Sequence, residues 1–343
     1  MANRSNNSAS TQCEAFILNP SEYSLWDEMV SRSVHGTVFH YSWWLEASGC
    51  EFEILGYRDS EGRLQAGIPL PRRKRASLVL FHSPNLLTPY LGPIFALSPS
   101  MRENTKLSLM RNVGEKLART IQGFDSFNYS LGPAAPDLQG FLWAGFQADL
   151  YYTFVIDSGT SPEEVLARMS DGHRTAIGNA ERHGIRVETG DNLDAFLDLH
   201  CKTFHHQGLE MPYDESLIRR LFLAARDRGC AKIYLAKVPE GGYSAGLLVV
   251  SDARSSYQLA AGTDRTASGS GGGNLAEWRA IRDALESGRA YDFEGSALRG
   301  VERHFRYWGA TPKPCWRLQN AGSLRGFLAR CFVEWESHSK AHF

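Results

Sequence analysis

Two carboxylates, Asp292 and Glu294, flank Phe293 in the stretch Ala290-Tyr-Asp-Phe-Glu-Gly-Ser296. On a strand, alternate side chains share a face, so the pair would point to one side, where either could accept or orient an amine proton. Capping is the plainer role and the favoured one for Glu294. Upstream, Arg265 precedes Ser268-Gly-Ser-Gly-Gly-Gly-Asn274, a loop with too little side chain to pack. It runs straight into a helical pattern. A helix N-terminus offers free backbone N–H groups, so Arg265, Gly269, Gly271, Gly272 and Asn274 could seat a phosphate or another anion. Downstream, Phe305-Arg306-Tyr307-Trp308-Gly309 sets one guanidinium in an aromatic cluster. Four adjacent cations, Arg72, Arg73, Lys74 and Arg75, fit a solvated hairpin turn or a grip on a phosphate backbone or acidic glycan. His205-His206 has no third ligand in view, so no metal is expected. The sequence contains no G-x-S-x-G, H-E-x-x-H or P-loop pattern.

The elements that must position these groups follow from the spacing. Leu275, Trp278, Ile281, Ala284 and Leu285 share one face of a helix that Gly288 ends, and 290–293 is the next strand. Before the glycine loop, KIYLAKV, YSAGLLVVSD and SSYQLAAGT predict three consecutive strands. NLDAFLDLHCKTFHHQG and DESLIRRLFLAARDRG predict two helices, and 161–191 is helical after Ser161-Pro162. The earlier half repeats the order: strand 15–18, a helix entered at Ser21, three strands from Glu51 to Pro84, a helix over 98–120, then strands around a Pro-rich connector. Trp43 and Trp44 read as helix core.

A chain of 343 residues predicts about two domains with sizeable cores. The formal net charge of −1 requires that any polyanionic partner meet a local basic patch. Six cysteines (Cys13, Cys50, Cys201, Cys230, Cys315, Cys331) lack C-x-x-C or Cys/His spacing, which predicts reduced thiols in a cytoplasm. No signal peptide and no membrane span is expected.

The order glycine loop, GNLAEWRAIRDALESG, AYDFEGS, GVERHFRYWGATP resembles the Fem-type peptidyltransferase branch of the GNAT acyltransferase superfamily. So do the aromatic segment Gly36–Glu46, Tyr90-Leu-Gly-Pro93, and the helix of Arg174 and Asn179–Gly184. The resemblance implies an α/β chain of two tandem GNAT-like units, each a mostly antiparallel mixed sheet flanked by helices. A disordered tail would cover 1–12, the units 13–151 and 152–319, and a helix at 320–343 would pack back on the first unit. It implies attack of an acceptor amine on an activated acyl carbon without a tightly bound cofactor. The donor would be an aminoacyl-tRNA and the acceptor a peptide or peptidoglycan precursor, in the cytoplasm. Phe305 and Arg306 occupy the family's F-K positions. Arg306 keeps the charge and the forked donors for an oxyanion or terminal phosphate, but cannot serve as a base. Tyr90 and Arg174 stand where acceptor or tRNA contacts are expected. The loop Arg265–Gly271 is one residue too long for the superfamily's coenzyme A turn. Acetyl-CoA nonetheless stays open as donor, and a degenerate binding module is the non-enzymatic alternative.

Overall fold

The computed structural model describes residues 14–75, 78–122, 124–264, 266–267, 271–295 and 299–320, with backbone alone at 73–75 and 78. The expected tail, the terminal helix over 321–343, Arg265 and Gly269 lie outside the described residues, as do the side chains of Arg73, Lys74 and Arg75.

In the first half, strands β1 (Ala15–Ile17), β2 (Glu51–Arg58), β3 (Leu64–Arg75), β4 (Leu78–His82), β5 (Ile94–Phe95), β6 (Ser126–Leu131) and β7 (Gln147–Ile156) accompany helices α1 (Tyr23–Arg32), α2 (Ser42–Ser48), α3 (Glu103–Ile121) and α4 (Gln139–Trp143). The second half contains β8 (Arg186–Gly190), β9 (Ala231–Lys237), β10 (Tyr243–Ser251), β11 (Ser255–Thr263), β12 (Ala290–Asp292) and β13 (Thr311–Asn320). Its helices are α5 (Pro162–Arg168), α6 (Asp171–Arg182), α7 (Leu193–His205), α8 (Glu215–Arg226), α9 (Gly272–Glu286) and α10 (Arg299–Tyr307). The four cations expected in a turn instead include the last residues of β3, with Arg72 opposite Phe81 and Arg75 opposite Leu78. Residues 186–190, expected within a helical stretch, form the edge strand β8 because Gly184, at φ 72°, ends α6. Residues 299–307, expected as a polar loop, are helical, with Glu302 and Arg306 paired one turn apart.

The strands form one 13-stranded sheet in the order β1-β2-β3-β4-β6-β13-β7-β12-β11-β10-β9-β8, with β5 paired to β3 off this path. The same topology occurs twice. An antiparallel run ends in β4, crosses over through α3, and returns parallel to it as β6. A second run ends in β11, crosses over through α9, and returns parallel to it as β12. The inner strands are exchanged: β13 of the second half lies against β6, and β7 of the first half lies against β12. They pair with each other from Thr311↔Val155 to Gln319↔Gln147. The boundary expected between 151 and 152 therefore falls inside a strand that both halves use.

The core crosses this boundary too. Phe39, Trp44 and Tyr90 of the first half pack with Phe196, Ile218, Leu221 and Tyr257 of the second. Trp44 and Phe39 are fully buried, each contributing on the order of 2 kcal/mol through area removed from water. The indole N–H of Trp44 donates to Thr88 Oγ1 at 3.0 Å, so its polar edge is satisfied. On the other face, α9 lays Leu275, Trp278, Ile281 and Leu285 over Tyr234, Leu247 and Tyr291. Because neither half completes its sheet or its core alone, calorimetry is expected to show a single unfolding transition. Two resolved transitions would mean that the halves fold independently.

Candidate functional site

Strands β11 and β12 run parallel from Ser255↔Ala290 to Tyr257↔Asp292 and then part. β11 continues to Thr263, whereas β12 stops at Asp292. The stop is built into the backbone. Glu294, at φ 59°, is the only non-glycine left-handed residue among those described, and Gly295 follows at φ 69°. A Cβ on Gly295 would lie 2.6 Å from the Tyr152 carbonyl, so only glycine lets the chain turn away here. Holding Glu294 in this conformation costs about 1 kcal/mol, which the surrounding bonds must offset.

Asp292 is the hub of those bonds. It is 3% exposed and accepts from Thr153 Oγ1 at 2.6 Å, Tyr90 OH at 3.1 and 3.3 Å, and the Glu294 N–H at 2.8 Å. Burial pushes its carboxyl up to about 6, against the pull of those donors toward ionisation. One side chain thus joins the first half (Tyr90), the shared strand β7 (Thr153) and the end of β12. Asp292 is saturated with donors and serves as an anchor. Glu294 is not: its Oε1 is buried without a partner among the described residues. Burial and then the neighbouring charge of Asp292 hold its carboxyl well above the usual range. The capping contact expected of Glu294 is made instead by Asp292, which accepts from the Glu294 N–H.

Helix α7 closes one side of the notch. His200 Nδ1 lies 2.7 Å from the Ala261 carbonyl and Nε2 lies 2.8 Å from Tyr213 OH. Burial lowers the pKa of His200, so the neutral ring donates from Nδ1 and accepts from Tyr213 at Nε2. Thr203 Oγ1 accepts from the Thr263 N–H at 2.7 Å. These groups meet part of the β11 edge that β12 no longer covers. Gly262 permits the approach, since a Cβ there would lie 2.5 Å from the His200 nitrogen. Neither His200 nor Tyr213 stood out in the sequence, because each reaches the notch only through tertiary packing.

On the opposite face a cavity of about 430 Å³ is bounded by β10 (Ala245–Leu247), β11 (Gln258–Thr263), the first turns of α9 (Gly273–Glu277) and α10. Small residues create its room. Gly271, the N-cap of α9 at φ 74°, would place a Cβ 2.2 Å from the Ala176 carbonyl, and no side chain among the described residues caps the helix. Gly272 packs on Ser244 with the same tightness, and Asn274 lines the cavity. A second cavity of about 340 Å³ lies between the halves, with Arg254, Lys313, Tyr90 and Asp292 in its wall. Among the described residues no group of three His, Cys, Asp or Glu is placed to hold a metal ion.

Most of the remaining expected site residues lie elsewhere. Arg306 is on the exposed face of α10, with Nε 3.0 Å from Glu302 Oε1. Phe305, one residue before it, is buried against Phe154 and Phe293. Arg174 donates to the carbonyls of Leu166 and Met169 at 2.7 and 2.8 Å and pairs with Asp171, satisfying the end of α5. Arg72 pairs with Glu53 at 2.7 Å. Of the described residues expected from the sequence, Asp292, Glu294, Tyr90 and the start of α9 stand at the notch and its cavities, and Phe305 contributes to the wall of the 430 Å³ cavity.

The notch thus lies where the two strands of a parallel β-α-β crossover part, beside the N-terminus of the crossover helix α9. Residues 168–306 match the sequence profile of the acetyltransferase (GNAT) domain family. The fold of the whole chain is similar to the crystal structure of FemX, which aligns at a TM-score of 0.66 and 15% identity, over 88% of this chain and 96% of FemX. It is also similar to a domain assigned to a lysylphosphatidylglycerol synthetase from Agrobacterium fabrum, at a TM-score of 0.55 and 11% identity, covering 92% and 96%. A tandem GNAT protein from the clavulanic acid biosynthesis pathway aligns at 0.50 and 12% identity, covering 90% and 98%. No curated protein matches the sequence. No helix among the described residues is long and apolar enough to cross a membrane.

The anchor role of Asp292 has a pH signature. Its folded carboxyl titrates at about 6 and an unfolded one at 3.8, so the native state holds the proton more tightly. The resulting stability is full below pH ~4 and is lost as the pH rises through about 6, amounting to roughly 3 kcal/mol. Asp292→Asn is expected to remove this component, flattening the stability difference between pH 4 and 7. Chemical denaturation across that range checks it, and an unchanged slope would reject the assignment.

Proposed function

We propose that this protein is an amide-forming acyltransferase that takes an aminoacyl group from an aminoacyl-tRNA. The acceptor would be the amine of a peptide, a cell-wall precursor or a natural-product precursor. The observation that carries this reading is the open notch of the second GNAT unit, with a buried carboxyl oxygen of Glu294 that has no partner among the described residues at the point where its strands part. The double unit aligned over nearly all of FemX supports it, as does the aminoacyl group in the name of the similar synthetase domain.

The 430 Å³ cavity would hold the acyl donor with its carbonyl toward the notch. The acceptor amine attacks that carbon, and backbone N–H groups on the open edge of β11 receive the developing oxyanion. Glu294, whose Oε1 is buried without a partner among the described residues, takes the amine proton. The ester C–O bond then breaks, and the departing ribose hydroxyl leaves with a proton. The acceptor enters from the cavity between the halves, where Arg254 and Lys313 can meet its acidic groups. The basic end of β3 is offered to the tRNA backbone, and a charged-tRNA donor would place the reaction in the cytoplasm.

An acyl-CoA donor is the second reading. It is favoured by the N-terminus of α9, whose first turn lines the 430 Å³ cavity through Gly273 and Asn274 and has no side-chain cap among the described residues.

The test is amide formation by the purified protein, supplied in parallel with a pool of charged tRNAs and with acetyl-CoA. Product from one charged tRNA alone is the expected result, and product from acetyl-CoA alone would replace it with the second reading. In the productive assay, Glu294→Gln is expected to lower turnover about a hundredfold or more at unchanged donor KM. A variant with full activity would remove Glu294 as the base. Arg306→Ala, which opens an exposed pair, is expected to shift stability by less than about 1 kcal/mol and turnover by no more than about threefold. A tenfold loss of turnover with an unchanged melting temperature would instead place Arg306 on the reacting oxygen.

A further inference from the structure

Glu277 lies on the buried face of α9, one turn into the helix, and is 3% exposed. Its Oε2 accepts from His304 Nε2 at 2.8 Å. The Nδ1 of His304 lies 3.2 Å from His173 Nε2, and His173 Nδ1 lies 3.3 Å from Ser170 Oγ. With both rings neutral, this chain carries its protons in one direction: Ser170 donates to His173, His173 to His304, and His304 to Glu277. With His304 protonated, the contact to Glu277 is unchanged. In either state Oε2 is occupied and the carboxylate is held in one orientation.

The other oxygen, Oε1, is buried and has no partner among the described residues. Glu277 also lines the 430 Å³ cavity. Gln258 lines the same cavity from β11, and its Oε1 is likewise buried and unpartnered. Tyr291, fully buried and close enough to feel the charge of Glu277, has an unpartnered hydroxyl as well. A native interior seldom leaves such groups unmet, because each unpaired one costs roughly 1–3 kcal/mol, and more when it is charged. Acceptors converging on one small cavity call for a ligand group rich in donors. A primary ammonium, with three N–H donors and a positive charge, fits that description. The cavity has a second character at its mouth, where the N–H groups that open α9 favour an anion. A molecule that answers both ends carries a phosphate or ester near the helix start and an ammonium about one turn deeper.

We propose that Glu277, oriented by His304 and assisted by Gln258, recognises the free α-ammonium of an aminoacyl donor and so selects it over a simple acyl group. The inference rests on the aminoacyl reading above and names the side chain that would enforce it. Glu277 is a specificity residue: it grips the donor beside the reacting carbon and takes no part in bond making.

The test uses the full chain and two stable donor mimics. One is 3′-amino-3′-deoxyadenosine carrying an amide-linked alanyl group, and the other is its desamino twin, with a propionyl group. By titration calorimetry the wild-type protein is expected to prefer the alanyl compound by about tenfold to a hundredfold, the range for a hydrogen-bonded charge pair. Glu277→Gln, which keeps the shape and removes the charge, is expected to erase that preference while leaving affinity for the desamino twin unchanged. Gln258→Met should reduce the preference severalfold, and carries the test should the first variant fail to fold by circular dichroism. A preference of wild-type size in the E277Q or Q258M variant would overturn the role of this acceptor pair while leaving the aminoacyl reading intact. Equal affinity of the wild-type protein for the two mimics would overturn the selection itself. Saturable acetyl-CoA binding with neither mimic retained would overturn both this inference and the aminoacyl donor.

Discussion

β7 and β13 pair antiparallel through the middle of the sheet, and each reaches into the opposite half through its second edge, β7 to β12 and β13 to β6. A strand buried between two partners has its backbone groups satisfied only when both are present. The exchange therefore makes the two units one folding object and fixes their relative position. The position matters for the site, because the notch is assembled from both halves. Tyr90 arrives from the first, Thr153 from the shared strand, and Asp292 from the second.

Around that frame the polar groups divide by how fully they are met. Asp292 is saturated with donors and works as a fastener. Glu294, Glu277 and Gln258 each keep an oxygen unmet by the described residues while buried. Unmet acceptors are costly to a fold, and their collection around one parting of strands is the physical mark of a place where something else completes the structure. The backbone shares in this cost, with a non-glycine residue held left-handed at Glu294.

Local patterns explain what could be read in advance. The α9 helix was legible because a glycine loop cannot pack and Leu275, Trp278, Ile281 and Leu285 recur at helical spacing. The three strands before it, the repeated order of elements and the buried Trp44 were legible for similar reasons. The helix α10 was not, because Arg299–Tyr307 is dominated by charged residues and has a single deeply buried side chain, Phe305. Glu277 carries a signal that the sequence does show: an acidic residue beside the apolar stripe of a helix, four positions before Ile281.

The sequence alone determined most of the elements, the two-unit order and the glycine-lined start of α9, because each depends on neighbours within a few turns or on backbone freedom at one residue. Tertiary structure decided which carboxyl group is met by donors. Asp292 and Glu294, alike in sequence, part company because a left-handed turn takes Glu294 off the strand and because Tyr90 and Thr153 converge on Asp292 alone. It also decided that β7 and β13 trade places, that His200 and Tyr213 stand at the notch and that His304 stands in the wall of the cavity on the opposite face. Those outcomes depend on contacts between residues far apart in the chain, and the energy of a contact becomes a constraint only once the fold has brought its partners together.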